Sequence, residues 1–235
     1  MRSTRVTARR LFSLSGLVPL GAFLVLHVVV NARAVRGEDA YDAAVGAMHG
    51  VAALRALEIA LVFAPLLFHA AVGVWLVANG ASVVEPSPYP RPLLLTMRAT
   101  GMVVLGFLVW HLPEVKAISP GPRLHGGELL TILQTHLSST WHGIPLSGLL
   151  YLFGAAAVTL HFVVGAWGFV ARLPRASDAR TRRWLAWAAG ALGVTLFAFF
   201  ADVTVLHATG SRLFGSRAAP PPSHEPCPIP DSSAR

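Results

Sequence analysis

The sequence predicts an all-α integral membrane protein, a bundle of five transmembrane helices. Three observations carry this reading. Of 235 residues, 54% are apolar and only 13% are charged, with a mean hydropathy of +0.59; an average soluble domain carries roughly 25% charge. The apolar residues come in blocks of about twenty, the length that crosses a hydrocarbon core. Ten histidines are present, and four of them fall inside these blocks, one in each of the first four.

The first span runs from about Leu11 to Asn31, behind an Arg-rich arm of residues 1–10. Ala32-Arg33-Ala34 looks like a signal-peptide cleavage site, but the apolar stretch is too long for an ordinary leader. The second span runs from about Ala53 to Ala78, after the acidic stretch GEDAYDAA, which reads as a solvated loop. A Pro-rich turn, GASVVEPSPYPR, leads to the third span, from about Met97 to Lys116. The stretch from Pro113 to Gly143 reads as the longest loop. The fourth span runs from about Pro145 to Ala171 and the fifth from about Trp184 to Leu206. Open sheet edges cannot survive in lipid, so each span must be a helix. Residues 11–210 form the transmembrane domain, and residues 211–235, rich in Pro and Ser, form a disordered tail.

Basic residues set the topology. Arg2, Arg5, Arg9 and Arg10, then Arg91 and Arg98, then Arg172, Arg175, Arg180, Arg182 and Arg183 cluster beside the spans on one side. That side is read as cytoplasmic. The other side carries Arg33, Arg36, Arg55, Lys116, Arg123, Arg212, Arg217 and Arg235. The N-terminus is therefore expected in the cytoplasm and the tail outside. The formal charge of +8 reports this topology rather than a nucleic-acid partner. Cys227, the one cysteine, excludes an internal disulfide, a thiolate-ligated iron–sulfur cluster and a CxxCH haem attachment.

His27, His69, His111 and His161 lie in successive spans. Ligating side chains inside a membrane are costly and mark function; a lone histidine would more simply bridge two helices. Each lies about 14–16 residues past its own entry face, roughly 21–24 Å at 1.5 Å per residue. Successive helices run in opposite directions, so His27 and His111 share a level toward the outside. His69 and His161 share a level toward the cytoplasm. Two imidazoles at one level suit the two axial positions of a non-covalent b-type haem. Tetrahedral zinc wants three or four ligands at one level. Gly73 and Gly165, each four residues after its histidine, are read either as clearance for a porphyrin or as helix-packing positions. Pro65, four residues before His69, must disturb its helix. Asp202 and His207 receive no role beyond an interfacial pair.

These stretches, SLSGLVPLGAFLVLHVVVN, LEIALVFAPLLFHAAVGVWL, RATGMVVLGFLVWHL and YLFGAAAVTLHFVVGAWGF, resemble the five-helix dihaem cytochrome b subunit of succinate dehydrogenases and fumarate reductases. The resemblance implies two haem b, an outer one held by His27 and His111 and an inner one held by His69 and His161. It implies haem-propionate contacts at Ser13 and Arg172, and a quinone site served by an acidic residue before the second helix. Glu38, Asp42, His49 and Glu58 are the candidates there. It implies an iron–sulfur subunit and an FAD flavoprotein as partners, and a bacterial-type inner membrane. Menaquinone is the quinone that the resemblance favours. Dicarboxylate chemistry would lie outside this chain. Thr159 stands where some family members carry a glutamate used in proton movement. The alternatives are a dihaem cytochrome b of a hydrogenase or formate dehydrogenase, and a haem-free anchor.

Overall fold

The computed structural model describes residues 11–79, 91–118, 126–171 and 178–214. The N-terminal arm, the Pro-rich turn over residues 80–90, Arg172 and the tail from residue 215 lie outside the described residues. The described residues form seven helices and no strand. Five are long and apolar enough to cross a membrane: α1 (Leu11–Arg36), α3 (Leu54–Ala78), α4 (Arg91–Ile118), α6 (Leu146–Val170) and α7 (Ala179–Thr209). Two shorter helices, α2 (Glu38–His49) and α5 (Gly126–Ser138), connect α1 to α3 and α4 to α6.

α2 and α5 correct the loops expected from sequence. GEDAYDAA begins α2, and α5 occupies the stretch between Pro113 and Gly143. Each is amphipathic, burying a stripe too narrow to register as a span. Tyr41 and Val45 of α2 pack with Ala34 and with Leu130 of α5, and Val30, Leu129 and Leu133 close over them. This small core ties the far end of α1 to the two connecting helices.

Two prolines widen the spans they enter. Pro19 lies within a π-helical turn, Gly16–Leu20, in α1. A second π turn, Ile59–Phe63, ends two residues before Pro65 in α3. Proline lacks an N–H and its ring collides with the carbonyl four residues earlier, and a wider turn relieves both problems. The disturbance expected at Pro65 is therefore a π turn, and the helix continues through it.

α7 starts five residues before the expected Trp184. Asp178 caps it by accepting a hydrogen bond from the Thr181 amide at 2.8 Å, a stop for the orphan amides of a helix start. Gly210 ends it at a positive φ of 67°, the left-handed residue that closes a helix. α6 packs between α4 and α7 and buries Gly148, Gly154, Ala155, Ala157 and Gly168. Small residues let helix backbones approach where lipid offers no hydrophobic drive between helices.

Gly154 is the tightest of these. A Cβ there would lie 2.5 Å from the Phe107 ring of α4, so Gly154→Ala must move a packed aromatic. It should cost about 1–3 kcal/mol, read as a lower unfolding midpoint in detergent. Gly46, with nothing within 4 Å of its would-be Cβ, supplies the contrast. Gly46→Ala in α2 should stabilise by up to ~1 kcal/mol.

Candidate functional site

The four span histidines meet in two pairs. His69 of α3 and His161 of α6 have ring centroids 6.1 Å apart and planes crossing at 85°. His27 of α1 and His111 of α4 have centroids 6.5 Å apart and planes crossing at 82°. The pairing is the one that depth alone assigned.

An imidazole in lipid must find a partner for its N–H inside the protein. In the first pair that partner is main chain. His69 Nδ1 lies 3.1 Å from the Phe12 carbonyl oxygen and 3.4 Å from Ser15 Oγ. His161 Nδ1 lies 3.2 Å from the Met97 carbonyl oxygen and 3.3 Å from Thr100 Oγ1. A carbonyl only accepts, so Nδ1 carries the proton in both rings and Nε2 keeps its lone pair. The Phe12 ring stacks on His69 at 4.4 Å and 7°.

The second pair is held by side chains. His111 stacks on Phe107 at 5.2 Å and 12°, and its Nδ1 lies 3.2 Å from the Tyr151 hydroxyl. Phe23 and Phe200 flank His27, with centroids 5.6 and 6.4 Å from its ring. Two imidazoles with free Nε2 atoms can take opposite sides of one metal. Iron–nitrogen bonds of about 2.0 Å, plus about 1.1 Å from each nitrogen to its ring centre, put two centroids roughly 6 Å apart. Among the described residues no group of three or more His, Cys, Asp or Glu is gathered to hold a metal ion.

Close approach to the rings falls on glycines that spacing did not pick out. A Cβ on Gly16 would lie 2.5 Å from His69 Cε1, and one on Gly101 would lie 3.0 Å from His161 Cε1. At Gly73 the nearest atom is Phe12 Cε2 at 3.8 Å, an ordinary contact, and at Gly165 it is Met97 Cε at 3.2 Å. Ser13 is half-buried, while the serine that reaches a histidine is Ser15, one turn from Phe12.

Among the described residues, Glu38, Asp42, His49 and Glu58 share no hydrogen bond or ion pair with one another. Glu38 and His49 stand exposed at opposite ends of α2. Glu58, in the first turns of α3, faces Arg55 at 4.0 Å. Asp42 has a buried Oδ1 with no hydrogen-bond partner. Asp202 and His207 correct the expected pairing. Asp202 accepts from Arg212 at 3.0 Å and from the amides of Leu213 and Phe214 at 2.8 and 3.1 Å. Five residues on a helix turn His207 away from that face, and both its ring nitrogens are buried without a hydrogen-bond partner. Thr159 is buried, and its hydroxyl oxygen has no hydrogen-bond partner.

Asp42 also marks its neighbour. Burial, and then the Asp42 charge, push the Tyr41 phenol up to about 12 from 10.0. A phenol whose pKa folding raises contributes stability that is complete below the unfolded value and lost as pH climbs through the folded one. The unfolding midpoint of the wild type should therefore fall between pH 10 and 12. Tyr41→Phe should flatten that fall in a thermal-unfolding series across this window.

The chain is 33% identical over 163 residues to the succinate dehydrogenase cytochrome b558 subunit of Bacillus subtilis (strain 168), a match covering 68% of this chain and 76% of that protein. No family model matches the chain. No solved structure matches it.

Proposed function

This chain belongs to the family of succinate dehydrogenase cytochrome b subunits, and from that premise we propose that it is the dihaem membrane anchor of a succinate:quinone oxidoreductase. It passes electrons between an iron–sulfur subunit and membrane quinone. The observation that carries the reading is the pair of histidine couples, each drawn from two helices, 6.1 and 6.5 Å between ring centres. That separation fits two imidazoles on opposite faces of one iron, roughly 6 Å between ring centres.

His69 and His161 would hold one haem b and His27 and His111 the other. Bound haem supplies a one-electron couple at each level. The protein's part is to hold ligands, exclude water and manage protons. The Phe12 and Met97 carbonyls fix the Nδ1–H tautomers of His69 and His161, which leaves each Nε2 with the lone pair that would hold a haem iron. Phe12 and Phe107, stacked on His69 and His111, keep those rings from turning. Gly16 and Gly101 leave the space that His69 and His161 occupy.

Quinone reduction takes up protons as it takes up electrons, so a group able to exchange them must face the quinone. The proposed site lies at the His27–His111 end. Asp42 is the best supported of the four candidates because its Oδ1 is buried with no hydrogen-bond partner among the described residues. Ser13 and Arg172 remain the proposed propionate contacts. The partners proposed are the iron–sulfur and flavoprotein subunits, and the membrane is the bacterial inner membrane with the N-terminus cytoplasmic.

A pyridine haemochrome assay with a reduced-minus-oxidised spectrum tests this on wild type, His69→Ala and His111→Ala. Two b haems per chain are expected in the wild type, with each substitution removing or disturbing a different one. Absence of haem from well-folded wild-type protein overturns the reading.

A further inference from the structure

We infer that Tyr151, Glu114 and His136 are positioning residues for His111, forming a carboxylate-anchored relay that sets the electron-donating strength of that one imidazole. The inference rests on His111 being a haem ligand, as proposed above. Tyr151 Oη lies 3.2 Å from His111 Nδ1 and donates its proton to Glu114 Oε2 at 3.1 Å. His136 Nε2 donates to the other oxygen, Oε1, at 2.6 Å. A hydroxyl has one proton. Since Tyr151 gives it to the carboxylate, its oxygen can only accept from His111, so Nδ1 is protonated and Nε2 is free.

Glu114 is well sheltered, with 12% of its side chain exposed against 26% for His136. It stands three residues after His111, on the same face of α4. Tyr151 comes from α6 and His136 from α5, so one carboxylate gathers three helices around the ligand. The direct partner of His111 is a neutral hydroxyl, and what sets it apart among the described residues is the carboxylate behind that hydroxyl. His69 and His161 face neutral carbonyls and hydroxyls. Charge-assisted hydrogen bonds are roughly twice as strong as neutral ones. Hydrogen-bond partners behind a metal-bound histidine raise its basicity. A more basic His111 favours the more positive, oxidised state of the metal it binds, and the other level lacks this bias.

The test is a redox titration of the assembled complex, read optically and by low-spin ferric EPR. Its samples are wild type, Glu114→Gln, Glu114→Asp and Tyr151→Phe. Glu114→Gln and Tyr151→Phe should raise the midpoint of the haem that His111→Ala removes. The expected change is about tenfold in the one-electron equilibrium, ~59 mV, with an altered EPR signature. Glu114→Asp should stay near wild type, and the haem that His69→Ala removes should not move. Wild-type midpoints and spectra in both variants overturn the inference, as does an equal shift of both haems. If Glu114→Gln fails to assemble, Tyr151→Phe decides alone. Absence of haem from the wild type overturns instead the reading on which the inference rests.

Discussion

Everything in this bundle bends to one requirement: an imidazole N–H placed in hydrocarbon has no water to turn to. His69, His111 and His161 are each met by an oxygen from a neighbouring helix, and that contact fixes how close those helices come. His69 reaches the start of α1 because the Phe12 carbonyl receives it. His161 reaches α4 because the Met97 carbonyl does. The small residues of α6 and the glycines beside the rings follow from these approaches, since a methyl group at Gly16 would occupy the space of His69.

The π turn in α1 belongs to the same constraint. Gly16 sits in it, and Phe12 and Ser15 lie just before it. Proline at position 19 forces the helix to widen, and the widened turn faces the histidine. At the opposite end of the bundle, α2 and α5 pack through Tyr41, Val45 and Leu130, and α5 sends His136 to Glu114. The connections there are working parts of the structure rather than spacers.

The five spans were legible because a hydropathy window senses them directly, and the histidine pairing was legible because alternation of direction fixes depth. α5 was not. Its apolar residues, Leu129, Leu130, Ile132, Leu133 and Leu137, are flanked by Gly-rich and polar stretches, so their average hydropathy looks like a loop. The carbonyl acceptors were invisible for a different reason: every residue carries one, and no residue type marks Phe12 or Met97. Tyr151 and Glu114 are 37 residues apart, and His136 and Glu114 are 22 apart. Only the packing of α4, α5 and α6 reveals that they meet. Asp202 beside His207 suggested a pair, and the turn of the helix separates them.

The two ways of receiving an imidazole differ in what heredity can touch. A main-chain carbonyl persists under any substitution at Phe12 or Met97, provided the helix survives. The main-chain acceptors of His69 and His161 are therefore buffered against substitution at their own positions. The partner of His111 is made of side chains, each encoded by its own codon and each replaceable. Within one bundle, the acceptors at one level do not depend on residue type, while the acceptor of His111 can be replaced by single changes. Lineages that share this scaffold can diverge in one half of it without disturbing the other.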